Sequence, residues 1–93
     1  MMKNKNTMNG SNKQILYFRA DWCQPCKMVG PVVDKLKEEG YNIKKIDIEV
    51  DRDSVDKYGV MSIPTFILVE NDKEVERFTG VQTETKLKNL LRE

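Results

Sequence analysis

Two short, uninterrupted apolar runs punctuate the chain, Ile15-Leu16-Tyr17-Phe18 and Phe66-Ile67-Leu68-Val69. Runs of this length, rich in β-formers, suit strands buried on both faces. Between them the spacing changes. Met28, Val29, Val32, Val33 and Leu36 fall on one face of a helix that begins near Pro25. Lys27, Asp34, Lys35, Lys37 and Glu38 fill its other face, and Gly40 is its natural stop. Pro31 lies inside this segment and predicts a kink, because proline removes one backbone donor and crowds the preceding turn. Ile43 opens the next apolar segment, and strict alternation through Ile46-Asp47-Ile48-Glu49-Val50 predicts a strand. Asp51-Arg52-Asp53-Ser54 is turn chemistry, leading into a short helix through Tyr58 that Gly59 closes. After the second apolar run, Asn71-Asp72 predicts a turn, and Val75 to Phe78 returns as an alternating strand of a hairpin. Thr83 is a good N-cap for a last helix with Leu87, Leu90 and Leu91 as its buried stripe.

The predicted order is strand, helix, strand, helix, strand, strand, helix. The first three strands are expected to connect by crossovers and pair in parallel, and the fourth to join by a hairpin. That is an α/β fold, a four-stranded mixed sheet flanked by helices. At 93 residues the chain holds one domain, expected over 13–93. Residues 1–12 offer little regular apolar spacing and are expected to be a disordered tail.

Charge narrows the function classes. Sixteen Lys and Arg oppose fifteen Asp and Glu, a net charge of +1. That balance argues against a strong general attraction to nucleic acid or an anionic membrane. No apolar run approaches the ~20 residues of a membrane span or the ~7–15 of a signal peptide. The expected location is therefore the cytoplasm, where stable disulfides are rare. Two cysteines in that setting point to chemistry or metal rather than to a structural staple.

Trp22-Cys23-Gln24-Pro25-Cys26-Lys27 sits between the first strand and the first helix. The spacing brings two sulfurs within bonding reach on one helical turn. Cys23 then lies at the helix N-terminus, where unsatisfied N–H groups favour a thiolate, the species that attacks a disulfide. Cys26, further into the helix, is expected to be more buried and to resolve the mixed disulfide by attacking Cys23. Half of a zinc site is the competing reading. Structural zinc takes four ligands, and the chain has no His and no third Cys, which leaves only a metal shared between two chains. A pair of inert core cysteines fits poorly with the flanking Trp22 and Pro25. In this strand–helix context the pair reads as a redox motif.

The chain resembles the thioredoxin family beyond the cysteines. Trp22 to Lys27 looks like the family's WCGPCK signature with Gln24 in place of glycine, and Pro31 matches the proline that follows it. Lys57-Tyr58-Gly59-Val60 and Ile63-Pro64-Thr65 match further family segments, and Gly80 matches the glycine before the last helix. The resemblance implies that Pro64 is cis and packs against the cysteines. It also implies a substrate groove formed by Ser62, Ile63, Pro64, Thr79 and Gly80 with Trp22 and Gln24, although Ile63 reads equally well as core. Three departures accompany it. There is no room before Ile15 for the family's opening strand and helix, so the fold is expected to be a trimmed one. Tyr17 stands where members carry a buried aspartate, six residues before the first cysteine. The lysine that neighbours that acid aligns with Asp47. Asp47 is accordingly a candidate proton acceptor for Cys26, with solvent exposure, like that of Lys45 and Glu49, as its competing reading.

The implied activity is reduction of protein disulfides by dithiol–disulfide exchange in a monomer, with no cofactor beyond the Cys23–Cys26 redox pair and no metal. The implied partners are disulfide-containing proteins and a recharging donor such as a thioredoxin reductase, with no nucleic acid and no membrane. A glutathione-linked protein like the glutaredoxins fits the size, but Gln24-Pro25 is unlike the Pro-Tyr pair typical there. A binding subunit that uses the groove and not the thiols would not need the cysteines. An oxidase or isomerase would differ in reduction potential, and a cytoplasmic setting favours reduction.

Overall fold

A computed structural model describes residues 12–92. Of the expected tail 1–12, residues 1–11 lie outside that range, while Asn12 stands in a turn and its carbonyl accepts the Asn71 N–H at 3.2 Å. Strand β1 (Lys13–Arg19) leads into helix α1 (Gln24–Glu38). There follow β2 (Ile43–Asp47), α2 (Arg52–Tyr58), β3 (Thr65–Glu70), β4 (Lys73–Thr79) and α3 (Glu84–Leu91). The four strands form one sheet in the order β2-β1-β3-β4.

The two apolar runs are the two central strands. On β1, Ile15 and Tyr17 face one side with Phe66 and Leu68 of β3. Val29, Val33 and Leu36 of α1 and Leu87 and Leu91 of α3 cover that side. Leu16 and Phe18 face the other side with Ile67 and Val69, where Val55 and Tyr58 pack from α2. Period-two alternation therefore serves two cores at once, and neither Ile15–Phe18 nor Phe66–Val69 carries a charged residue. Expected core positions differ at several places, Val32 among them, which is only partly buried. Met28 is 72% exposed, because the α1 stripe that meets the sheet is Cys26, Val29, Val33 and Leu36. Leu90 is only partly buried beside Leu87 and Leu91. Val50 is exposed because β2 stops at Asp47 and the chain then turns, with the Val50 and Asp51 N–H groups both donating to the Asp47 carbonyl.

The strand directions also differ from expectation. β1 and β2 are parallel, with Tyr17 opposite Lys45 and Arg19 opposite Asp47. β3 runs antiparallel to β1, with Phe18 opposite Thr65 and Lys13 opposite Glu70. A parallel β3 would need a crossover spanning the length of the sheet. The chain instead leaves β2 and enters β3 at the same end of the sheet. That end is also where β1 hands over to α1, so segments distant in sequence meet there.

Candidate active site

β1 ends in a turn closed by the Cys23 N–H donating to the Ala20 carbonyl at 3.2 Å. Cys23 is extended and caps α1, and Pro25 falls in the first helical turn, where its missing N–H costs nothing. The Cys26 N–H donates to the Cys23 sulfur at 3.2 Å. Cys23 and Cys26 are joined as a disulfide, with Cα atoms 5.2 Å apart. Both are buried, in a small cluster with Ala20 against which Ile48 and Ile63 pack. Gln24, Pro25 and Lys27 lie exposed around them. Pro31 sits exposed within α1.

The Ile63–Pro64 peptide is cis and Pro64 is buried. The Gly80 N–H donates to the Pro64 carbonyl at 2.8 Å, and the Thr65 hydroxyl donates to the Ser62 carbonyl at 2.7 Å. Gln82 donates to the carbonyls of Thr79 and Gly80, both at 3.1 Å, and so ties down the turn before α3. A groove of about 340 Å³ opens beside this loop, lined by Trp22, Ile48, Val55, Val60, Met61, Ser62 and Ile63. It gathers three of the expected groove residues, Trp22, Ser62 and Ile63. Thr79 and Gly80 stand next to Pro64 through pairing and hydrogen bonding but do not line the groove. Ile63 is both wall and core, since it also packs on the Leu16–Phe18 side of the sheet. Sequence reading missed Ile48, Val55, Val60 and Met61. Ile48 read only as part of a strand alternation and Val60 only as part of a family segment, and nothing along the chain marked Val55 or Met61 as neighbours of Trp22. It also missed Glu49, whose carboxylate accepts the Trp22 indole N–H at 2.8 Å and orients the ring.

On the α1 side a second, smaller cavity of about 120 Å³ reaches Cys26 between helix and sheet edge. Tyr17, Arg19, Ala20, Cys26, Lys27, Gly30 and Lys45 line it. The Tyr17 hydroxyl donates to the Cys26 carbonyl at 3.1 Å, and the Tyr17 ring stacks on Phe66. Burial pushes the Tyr17 phenol up, Arg19 pulls it down and Asp34 raises it further. The strand neighbour of Tyr17 is Lys45, not Asp47, because the parallel register places Asp47 two residues further on, opposite Arg19. Asp47 does not line this cavity. Its carboxylate accepts from Arg19 at 3.2 Å and from the Glu49 N–H at 2.9 Å. Arg19 also donates to Asp21 at 2.6 Å, and that bond holds the Asp21 carboxyl below the usual carboxylate range.

Strand, dithiol turn, helix and a cis-proline just before β3, whose neighbour Ile63 packs on the cysteines, together define a thioredoxin-like redox domain. Comparison with models of protein families matches residues 3–93 to "Thioredoxin". Thioredoxin of Bacillus subtilis (strain 168) is 40% identical over 77 residues, 80% of this chain and 74% of that protein. Thioredoxin of Chlamydia caviae is 36% identical over 91 residues, 96% of this chain and 89% of that protein. Among solved structures, a mutant thioredoxin from Halobacterium salinarum NRC-1 superposes with a TM-score of 0.78. It is 35% identical over 91% of this chain and 76% of its own. Fasciola hepatica thioredoxin gives 0.76 at 34% identity, covering 89% and 81%. The chain belongs to the thioredoxin family. It is a thiol–disulfide oxidoreductase, and Cys23 and Cys26 are its dithiol pair. Neither the glutathione-linked reading nor the binding-subunit reading is favoured by these likenesses.

Proposed function

We propose that the chain works as a reductase of protein disulfides, with Cys23 as nucleophile and Cys26 as resolving thiol. One observation carries the reading: Cys23 is the N-cap of α1, and its sulfur already accepts the Cys26 N–H. The donors that meet a disulfide sulfur here would meet a thiolate in the dithiol form, and they favour the anion.

In the forward reaction the Cys23 thiolate attacks one sulfur of a substrate disulfide. A mixed disulfide forms, and the other substrate sulfur leaves as a thiolate that takes up a proton. Cys26, once its own proton is released, attacks the Cys23 sulfur. The Cys23–Cys26 bond forms, and the second substrate sulfur leaves. Two electrons and two protons pass to the substrate, and the redox group is the cysteine pair itself. A thioredoxin reductase or similar donor returns the pair to the dithiol in a reducing compartment such as the cytoplasm. The substrate is an extended segment of a disulfide-containing protein. It lies along Ser62, Ile63 and Pro64, with Thr79 and Gly80 flanking and Trp22 and Gln24 at the thiol end. Lys27 and Pro25 support the site by placing the first turn of α1.

Insulin reduction with NADPH and a thioredoxin reductase tests both activity and partner. Cys23→Ser is expected to abolish turnover. Cys26→Ser is expected to accumulate a covalent adduct with the substrate through Cys23. Full turnover by Cys23→Ser would overturn the assignment.

A further inference from the structure

Four sulfur atoms lie among the described residues. Those of Cys23 and Cys26 are buried and bonded to each other. The other two are thioethers, Met28 at 72% and Met61 at 96% exposure. Met61 is the most exposed large apolar side chain of the described residues, yet it is part of a built surface. It lines the groove with Trp22 and Ile63 and lies three residues before Pro64. Met28 lines neither cavity.

Access and electron density decide which sulfur an oxidant reaches. In the disulfide form neither cysteine holds a thiolate, so among the described residues the open targets are the two thioethers. A sulfoxide is polar where the thioether was apolar. In a wall shared with Val55, Val60 and the Trp22 ring, it presents a dipole that an apolar substrate side chain must desolvate.

We propose that Met61 is a peroxide-modification site at which oxidation weakens capture of protein disulfides while leaving the dithiol chemistry intact. The proposal rests on the groove reading above. Hydrogen peroxide delivers one oxygen to the Met61 sulfur. The O–O bond breaks, the S–O bond forms, the sulfur gives up two electrons, and the peroxide is reduced to one water.

The test starts from the disulfide form, treated with hydrogen peroxide and then desalted. Peptide mass spectrometry locates the added oxygen. Insulin reduction is then measured with dithiothreitol as the recharging reductant, and each protein is compared with itself before treatment. The expected result is modification of Met61 at least as fast as of Met28. KM should rise threefold or more while kcat stays within a factor of two. Met61→Leu should lose this response and Met28→Leu should keep it. Met61→Gln, polar without any oxidant, should raise KM by itself. An unmodified Met61, an unchanged KM after its oxidation, or the same rise in Met61→Leu would overturn the proposal. Failure of the untreated protein to reduce insulin would strike the reductase reading instead, so the two failures are distinguishable.

Discussion

Tyr17 shows how one side chain alters the surroundings of the dithiol. The resemblance places a buried acid there, and a phenol takes its position instead. Stacking on Phe66 and a hydrogen bond to the Cys26 carbonyl hold it. Because burial raises its pKa, Tyr17 stays neutral through the working pH range and takes no proton from Cys26. The smaller cavity that reaches Cys26 has Arg19, Lys27 and Lys45 as its charged lining residues. Tyr17→Phe should therefore cost about 0.5–1.5 kcal/mol of stability, the net worth of one hydrogen bond, read from urea unfolding. Insulin reduction should change by less than about twofold, since the phenol acts through packing. A much larger loss of rate at unchanged stability would assign Tyr17 a chemical role. The sign of its titration follows from the raised pKa. The contribution of neutral Tyr17 is complete below the unfolded value of about 10 and is lost as pH rises beyond it.

The helices were the most legible elements, because their ends carry local chemistry. Asp51 accepts the Ser54 N–H at 3.0 Å and the Ser54 hydroxyl at 2.7 Å, so a seven-residue helix starts where the turn residues predicted. Gly59 closes it at φ +60°, a conformation that other residues adopt at a cost. Thr83 caps α3 through the Lys86 N–H in the same way. Two substitutions test these ends by urea unfolding. Asp51→Ala should cost about 1 kcal/mol through the lost cap. Gly59→Ala should cost a similar amount, about 1 kcal/mol, through backbone strain alone, because an added Cβ meets nothing within 4 Å. Strand ends were less legible. The alternation to Val50 is intact in the sequence, yet β2 ends at Asp47 because its partner among the described residues, β1, ends at Arg19. A strand continues only as far as its neighbour supplies backbone partners, and residue periodicity does not record that.

At the scale of the molecule, four carboxylates among the described residues are held below their ordinary values, each chiefly by a hydrogen bond. Arg19 holds Asp21, Ser54 holds Asp51, Arg77 holds Glu74, and Lys35 holds Glu84. A depressed folded pKa stabilises the native state above the unfolded value, and the benefit is lost as pH falls through the folded one. The urea midpoint should thus be nearly flat between about pH 5 and 8 and fall below about pH 4. A midpoint unchanged at pH 3 would contradict these pairings. The largest difference from expectation also belongs to this scale. Had β3 run parallel to β1, its first residues would lie at the far end of the sheet from Cys23, about 20 Å away at 3.3 Å per residue. Because it runs antiparallel, Pro64 and the dithiol turn share one end, and the groove exists.

The amino-acid order by itself determined what depends on neighbours along the chain. The two buried strands, the helix caps, the hairpin turn and the dithiol at the start of α1 all follow from residue type and short spacing. Only the folded chain decided the direction of β3, the pairing of Tyr17 with Lys45 and of Arg19 with Asp47, and the apolar wall of Ile48, Val55, Val60 and Met61. These depend on which segments share one end of the sheet. Pairing between strands distant in sequence settles that, and no local pattern contains it.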